Sequence, residues 1–274
     1  MTILQALVLG IVQGLTEFLP ISSTAHLILV PWALGWTFDP EAQIVFDVLV
    51  QWGTLLALFV YFRRDLAGIL RAVLAGIRDR RPLATPESRL GWWIALGTVP
   101  VVVLGLACKH PIEALHHRPV VVAGILIGAT GLLYLGERWG KRDRPLDSIT
   151  AGDALVVGAA QALALLPGVS RSGATITGGL LRGLDRAAAA RFSFLLSIPA
   201  LLGAGAVKTR DLLHHPGALE QVPVLAAGLL ASAVVGYASI HWLMGFLARR
   251  PLTSFALYRV LAGLALLGLA LYRG

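Results

Sequence analysis

Two interrupted stretches decide the fold of this chain: QGLTEFLPISSTAH at residues 13–26 and QALALLPGVSRSGAT at residues 161–175. Each stretch contains a proline, which removes a backbone donor and blocks the preceding helical turn, followed by a run of hydroxyl side chains. Ionisable groups lie in both stretches, with Glu17 and His26 in the first and Arg171 in the second. We therefore expect two polar elbows, each of which joins a pair of half-helices.

The composition indicates an integral membrane protein. The chain of 274 residues is 57% apolar and only 14% charged, and its mean hydropathy is +0.76, which is too apolar for an ordinary soluble domain. An ionisable side chain at membrane depth costs about 2.5 to 3.5 kcal/mol. The charged groups in the two interrupted stretches are therefore expected to form a functional site.

Six uninterrupted apolar runs are long enough to cross a membrane, for which a helix needs about 20 residues. They lie at about 43–62, 91–107, 119–136, 192–207, 222–246 and 253–272. We treat the two broken stretches as re-entrant helical hairpins, because backbone that is not helical must be sheltered from lipid. The sequence thus predicts an all-α membrane protein that forms a single domain over residues 1–274.

The basic residues are concentrated in alternate connections, which predicts the orientation in the membrane. Lys and Arg are scarce in the opposite connections, whose histidines lack metal-ligand spacing and are expected to be solvated. Because cytoplasmic loops carry the excess of Lys and Arg, the basic connections are assigned to the cytoplasm. This rule explains the net charge of +8 without nucleic-acid binding. The basic side holds sixteen of the 23 Lys and Arg, at 63–89, 138–144, 182–191 and 249–250, and the other side holds Lys109, Arg118, Lys208 and Arg210.

The number of crossings then predicts an inverted repeat. The first hairpin enters from the outer face and the second from the cytoplasm, and each is followed by three spans. The repeats cover approximately residues 1–137 and 151–274, and both elbows follow a Gln–Leu–Pro–Ser pattern. Folds of this type place their binding site near the middle of the membrane, where opposed half-helices meet.

The elbows have the features of a phosphate site. Ser22 or Ser23 is positioned to cap one half-helix, and Ser170 or Ser172 to cap the other. Two helix amino termini that point at one position attract an anion, and the planar fork of Arg171 matches phosphate oxygens. The glycines Gly168 and Gly173 would allow close approach of the backbone to that ligand.

The first elbow also carries acid–base groups. Gln13 and Glu17 are four residues apart and share a helix face, and Ser23 and His26 are three apart on the next half-helix. A carboxylate beside a phosphate implies a bound cation or proton transfer. The set of groups favours phosphoryl transfer or phosphate-ester hydrolysis, with Ser23, His26 or water as the nucleophile.

The two stretches resemble motifs of a known family. Residues 13–26 resemble the glutamate-rich motif of the undecaprenyl-diphosphate phosphatases, the bacitracin-resistance type of bacterial membrane phosphatase, and residues 167–175 resemble the PGxSRSGxT motif of the same family. The stretches at 46–51, 192–199 and 258–259 are similar as well. The resemblance extends over the whole chain.

This resemblance implies an enzyme that hydrolyses undecaprenyl diphosphate and so recycles the lipid carrier of cell-wall synthesis. It implies a divalent cation, Mg²⁺ or Ca²⁺, with Glu17 and Gln13 as metal ligands, although Gln13 stands where many members have glutamate. It also implies a homodimer in the bacterial inner membrane, with an active site that opens to the outer face. The catalytic residues by position are Glu17, Ser23, His26 and Arg171, and the diphosphate would contact Ser22, Thr24, Gly168, Ser170, Ser172, Gly173 and Thr175.

Other interpretations of the same residues remain open. Inverted repeats with broken helices are common in secondary transporters, so the chain could instead carry an isoprenoid phosphate lipid across the membrane. Glu17 together with His26 favours the enzyme, because a carrier gains little from an acid–base pair. We expect Asp47, Gln51 and Arg259 to pair with one another inside the bundle, with support of the site as the alternative.

Overall fold

A computed structural model describes residues 1–108, 112, 115, 118–213 and 222–273 of the chain. Within these ranges the regular structure is helical, apart from an isolated bridge between Arg144 and Leu184. The amino-terminal half contains α1 (Ile3–Phe18), α2 (Ser23–Leu34), α3 (Pro40–Tyr61), α4 (Arg63–Arg78), α5 (Pro86–Ala107), α6 (Pro119–Gly128) and α7 (Thr130–Trp139). The carboxyl-terminal half contains a 3₁₀ turn (Leu146–Ser148), α8 (Ala151–Leu163), α9 (Arg171–Leu181), α10 (Arg186–Leu213), α11 (Val222–Leu247) and α12 (Thr253–Arg273).

The chain is a multi-span membrane protein. In the described ranges, six segments are long and apolar enough to cross a membrane: α3, α5, α6 with α7, α10, α11 and α12. The six predicted spans are therefore confirmed, although two begin earlier than expected. Helix α5 begins at Pro86 because Thr85 and Ser88 form a capping box, and α10 begins at Arg186 because Asp185 accepts a hydrogen bond from the backbone of Ala188 at 2.8 Å.

Both interrupted stretches form paired half-helices, as predicted. Helix α1 ends at Phe18, and α2 begins after its N-cap Ser22. The second elbow is longer, because α8 already ends at Leu163 and the chain turns through Pro167 before α9 begins. A residue that precedes proline is disfavoured in a helix, so the chain leaves the helix before it reaches Pro167.

Each broken segment packs on a span of the other half of the chain. Helix α1 lies along α11, and α8 lies along α5. These contacts are close because they are lined by small residues: Gly14 faces the backbone of Ser232 and Gly236, and Gly158 lies directly against the carbonyl of Gly97. Small residues let helices approach within a membrane, where the hydrophobic effect does not drive association. The inverted repeat and its boundaries stay a prediction. The packing of each broken segment on the opposite half of the chain is consistent with it.

Two features were not predicted. Helix α4 occupies part of the connection that follows α3, and the third span is interrupted at Ala129, between α6 and α7. Near that interruption the carbonyl of Leu126 accepts hydrogen bonds from Arg259 on α12. The Thr130 hydroxyl donates to the same carbonyl at 3.1 Å. The additional contact from Arg259 joins segments far apart in the chain, and a local sequence pattern does not reveal it.

Three clusters of ion pairs join the basic connections at one end of the bundle. Asp65 pairs with Arg191, Glu137 with Arg142 and Arg186, and Asp153 with Arg144 at 2.7 Å and with Arg182 at 2.6 Å. Glu137 also accepts a hydrogen bond from the backbone of Leu252 at 2.8 Å. The connections that we assign to the cytoplasm thus lie on the same side. The histidines expected to be solvated, His110, His116, His117, His214 and His215, are outside the described residues.

Candidate functional site

The two elbows touch each other inside the bundle. Ser172, in the first turn of α9, donates a hydrogen bond to the backbone carbonyl of Leu19 at 3.1 Å. Arg171, the first residue of α9, forms an ion pair with Glu17 near the end of α1. The predicted meeting of the two elbows is therefore present in the structure.

The carboxylate of Glu17 connects the polar groups of both elbows. Its Oε1 accepts a hydrogen bond from Arg171, and its Oε2 accepts one from the Ser23 hydroxyl at 2.5 Å and one from the Gln13 amide at 3.2 Å. The side chains are only 10% exposed for Glu17 and 17% for Arg171. A hydroxyl, a carboxylate and a guanidinium thus share one partly buried position.

Two helix amino termini point at this position with the same backbone geometry. The N-cap residues Ser22 and Ser170 have φ angles of 75° and 71°, a region that non-glycine residues rarely adopt. Each serine hydroxyl caps its helix by accepting from a backbone N–H, that of Ala25 at 3.4 Å or that of Gly173 at 3.2 Å. Free N–H groups and the helix dipole at both ends favour an anion between them. Conformational strain of this kind is concentrated at functional sites.

An open cavity lies between the elbows and α3. Its lining includes seven of the predicted site residues: Gln13, Glu17, Ser22, Ser23, Thr24, Ser170 and Arg171. Helix α3 contributes a polar stripe of Gln43, Asp47 and Gln51. Apolar side chains complete the lining: Leu27, Ile28, Ala164, Leu166 and Leu201. A charged head group and the start of an apolar tail can therefore occupy the same cavity.

His26 is not part of this lining, because both nitrogens of its ring have partners elsewhere. Nδ1 lies 2.8 Å from the carbonyl of Ser22, to which it can only donate a hydrogen bond. Nε2 lies 2.8 Å from the hydroxyl of Tyr258, from which it accepts a hydrogen bond when the ring is neutral, and the two rings are stacked. The structure brings Ser23, Glu17 and Arg171 together, while it directs His26 to α12.

Four further predicted residues, Gly168, Ser172, Gly173 and Thr175, also lie outside the cavity lining. Gly168 has a φ of 103°, and a β-carbon there would lie 2.9 Å from the carbonyl of Val122. The Thr175 hydroxyl lies 2.7 Å from the carbonyl of Arg171 and 2.5 Å from the Ser193 hydroxyl. These groups hold the second elbow in shape, and the ligand contacts predicted for them stay a prediction.

Arg259 is the main functional candidate whose role the sequence did not reveal. Its side chain is completely buried. The guanidinium donates hydrogen bonds to the carbonyls of Pro20 at 3.3 Å, Gly168 at 2.8 Å and Val169 at 3.1 Å, and twice to that of Leu126. One side chain thus joins both elbows to the interrupted span, and it does so through carbonyls and not through the expected pairing with Asp47 and Gln51.

The polar stripe on α3 could have been found in the sequence. Gln43, Asp47 and Gln51 are spaced by four residues in an otherwise apolar run, so they share one face of a spanning helix. Polar groups at membrane depth usually face a cavity or a partner. This spacing favours a role in the site over the purely structural role that we expected for Asp47 and Gln51.

The oxygen groups of the cavity suit a hard divalent cation. Gln13 Oε1 is buried and has no hydrogen-bond partner among the described residues, and the carboxyl groups of Glu17 and Asp47 line the same cavity. Mg²⁺ and Ca²⁺ prefer carboxylate and amide oxygens, and Mg²⁺ commonly completes its shell with phosphate oxygens and water. In the described residues, no cluster of three or more His, Cys, Asp or Glu side chains surrounds a common point. A cation here would therefore depend on ligand oxygens as well.

Comparison with known proteins connects this geometry to a family. The model of the family described as "Bacitracin resistance protein BacA" matches residues 6–265, which include both elbows and all six candidate spans up to the last turns of α12.

Similar curated proteins are named for one activity. A protein named undecaprenyl-diphosphatase from Chlorobium phaeovibrioides is 48% identical to this chain, and the alignment covers 97% of this chain and 96% of the relative. A protein of the same name from Chlorobaculum tepidum is 44% identical, and its alignment also covers 97% of this chain and 96% of the relative. A third with that name, from Anaeromyxobacter dehalogenans, is 45% identical over 99% of this chain and 92% of its own length.

Proposed function

The chain belongs to the family of bacitracin resistance protein BacA, and on this premise we propose how its elbow site works. The protein is an undecaprenyl-diphosphatase, which hydrolyses undecaprenyl diphosphate to undecaprenyl phosphate and inorganic phosphate. The proposal for the site rests on one observation: the carboxylate of Glu17 contacts both Ser23 and Arg171 where two helix amino termini meet in a cavity. The names of these relatives describe hydrolysis, so they lend no support to the transporter interpretation.

In this proposal Arg171 and the helix amino termini bind the diphosphate. A guanidinium has five N–H donors in a planar fork, so pairing with Glu17 leaves donors for phosphate oxygens. The hydroxyls of Ser22, Thr24 and Ser170 lie in the same lining and can donate to the remaining oxygens. Positive charge aimed at the phosphates stabilises the charge that shifts to the leaving group during cleavage.

Ser23 is the nucleophile in this proposal, and Glu17 is the base. The Ser23 hydroxyl already donates its hydrogen bond to Glu17, so the carboxylate can accept the proton as the oxygen attacks the terminal phosphorus. The bond between that phosphorus and the bridging oxygen breaks, and undecaprenyl phosphate leaves with the electron pair. Water then cleaves the phosphoserine and releases inorganic phosphate. His26 shapes the site through Ser22 and Tyr258 instead of transferring this proton.

A divalent cation is the proposed cofactor. Glu17, Asp47 and the free amide oxygen of Gln13 would hold it, and its charge would offset the repulsion between the carboxylates and the diphosphate. Phosphate binding, nucleophilic attack and proton transfer are assigned to the side chains described above.

We further propose that the cavity opens to the outer face of the bacterial inner membrane. Gln43, in the first turn of α3, lines the cavity, whereas Arg63 follows the other end of that helix and lies on the side of the ion-pair clusters. The positive-inside rule assigns that basic side to the cytoplasm. The apolar lining residues Leu27 and Leu166 would accommodate the first isoprene units of the tail.

Phosphate release by the purified protein tests the proposed chemistry. With a polyprenyl diphosphate as substrate, Glu17→Gln should lower kcat by about 10² to 10⁴-fold, since general-base catalysis contributes that much. Ser23→Ala should lose a comparable factor, and acid quenching of the wild type should trap phosphoserine at Ser23. The control is Ser239→Ala, because among the described residues the Ser239 hydroxyl donates to its own helix at the carbonyl of Val235 and to no other group.

The outcomes separate the alternatives. If Ser23→Ala abolishes trapping while it retains most of the turnover, water is the nucleophile and the serine assignment is wrong. If Glu17→Gln releases phosphate at the wild-type rate, Glu17 is not the base, and the proposed site fails.

A further inference from the structure

Helix α4 has an apolar side that the protein covers only in part. Ile69 and Val73 face Gly91 of α5. The neighbouring row of Leu70, Leu74 and Ile77 is more than half exposed, at 59%, 57% and 54%. Three large apolar side chains on an exposed helix face mark a surface that contacts lipid or a partner.

A row of arginines lies beside this exposed apolar row. Arg64, Arg71 and Arg78 are spaced by seven residues, so they lie on one helix face that drifts by only about 20° per heptad. All three are exposed. Arg71 bonds to its own helix backbone at Ala67, and Arg78 pairs with the exposed Asp79 next to it. The row can therefore bind external anions.

The position of α4 places both rows at the edge of the bundle. The ion pair between Asp65 and Arg191 ties the start of α4 to α10, on the same side as the other ion-pair clusters. The helix begins directly after the spanning helix α3 ends, with only Phe62 between them. The start of α4 is thus held next to the end of one spanning helix and the beginning of another.

We propose that α4 is an interfacial helix that binds the head groups of anionic phospholipids. Leu70, Leu74 and Ile77 enter the acyl region, while Arg64, Arg71 and Arg78 reach the adjacent phosphate layer. The positive row complements the negative surface of the cytoplasmic leaflet, to which our orientation assigns this side. The inference is independent of the chemistry proposed for the elbow site.

Charge favours lipid over a second copy of the chain as the occupant of this surface. A two-fold interface brings the same patch of both subunits together, so the two arginine rows would face each other. Like charges at such an interface repel, whereas anionic head groups neutralise them.

Amide hydrogen exchange in nanodiscs tests the proposal. In the wild type, replacement of 30% of phosphatidylcholine by phosphatidylglycerol should slow exchange of residues 63–78 by about fivefold or more at low salt. The triple variant R64Q/R71Q/R78Q should lose this dependence on phosphatidylglycerol. The matched control R138Q/R249Q/R250Q, which removes three exposed arginines from the same side, should retain it. Phosphate release should stay at the wild-type level in both variants.

Three results would contradict the proposal that α4 binds anionic lipid. Exchange in wild-type α4 that does not respond to phosphatidylglycerol overturns the proposal, as does an equal loss of response in the control variant. A response that depends on protein concentration, with a change in mass of the nanodisc complex, would assign the surface to a second copy instead.

Discussion

Single residues decide whether the elbows form one site. We expected Arg259 to pair with a carboxylate. Its guanidinium instead donates hydrogen bonds to four backbone carbonyls, which lie at or near the breaks in three helical segments. Hydrogen bonds to a charged group contribute about 1.5 to 3 kcal/mol each, which is how a completely buried arginine can be stable here. The same contacts fix the backbone of both elbows, and therefore the distance from Ser23 to Arg171.

The variant Arg259→Lys tests this positioning role. An ammonium has three donors and no planar fork, so it leaves carbonyls of the elbows unpaired. We expect a loss of about 3 kcal/mol in the free energy of unfolding, which is typical when one partner of a buried polar cluster is removed. We also expect kcat to fall more than tenfold with a smaller change in KM.

The control for Arg259 lies on the same helix. Arg273 also donates to backbone carbonyls, those of Trp32 and Ala33, but it is exposed, so Arg273→Lys should leave both quantities unchanged. Thermal unfolding in detergent and phosphate-release kinetics measure the two effects. Wild-type stability and kcat in Arg259→Lys would show that the elbows hold their geometry without this side chain.

At the scale of helices, the packing of each broken segment depends on glycine. Helix α8 approaches α5 so closely at Gly158 and Gly97 that a methyl group at Gly158 would overlap the carbonyl of Gly97. Since α8 leads directly into the second elbow, a displacement of this helix also moves Arg171.

The variant Gly158→Ala should therefore be destabilising although alanine favours helices. Overpacking of a tight contact costs about 1 to 3 kcal/mol, which exceeds the gain of up to about 1 kcal/mol in helix propensity. Gly124→Ala on α6 is the matched control, because a β-carbon there meets no atom of the described residues within 4 Å. Thermal unfolding should show a lower Tm for the first variant and an equal or higher Tm for the second; the reverse order would contradict the packing argument.

At the scale of the whole molecule, ion pairs join the ends of the helices on the basic side. Burial opposes ionisation of Asp153, but hydrogen bonds from Arg144, Arg182 and Thr150 outweigh it and hold the pKa of that carboxyl below its usual range. Asp153 lies in the first turn of α8, outside the six candidate spans. A lowered pKa in the folded state stabilises the protein above the unfolded pKa of about 3.9, and this contribution is lost as the pH falls through the folded value.

Asp153→Asn should therefore show a stability defect that depends on pH. At pH 7 we expect a loss of about 3 kcal/mol, since two arginines lose a buried partner. As the pH falls below about 4 toward the folded-state pKa, the wild type progressively loses the same contribution, so the two Tm values should approach each other. The exposed Asp147 provides the control, and Asp147→Asn should match the wild type at every pH. A defect of constant size across the pH range would exclude the ionised carboxylate as its cause.

The proposed orientation of the whole bundle in the membrane can be tested by thiol labelling. In a background with Cys108→Ser, a membrane-impermeant thiol reagent added to intact spheroplasts should label Gln43→Cys but not Arg80→Cys. Disruption of the membrane should expose Arg80→Cys to the reagent. Labelling of Arg80→Cys alone in intact spheroplasts would reverse the orientation and place the cavity opening in the cytoplasm.

The features that depend on local chemistry could be predicted from the residues alone. The apolar runs predicted the six spans, because a helix in lipid must be apolar along its length. Pro20 and Pro167 predicted the breaks. The ionisable groups Glu17 and Arg171 indicated a functional site, because their burial in a membrane is costly. The family resemblance of the two elbow motifs predicted the activity.

Which of these groups contact one another depends on how distant helices pack. The direction of His26 toward Tyr258, the contact of Arg259 with both elbows and the place of Asp47 in the cavity depend on residues far apart in the chain. Residue spacing predicts which side chains share a helix face, but not which other helix that face meets. The physical reason is that helix packing in a membrane depends on shape and hydrogen bonding between distant segments, which no local pattern encodes.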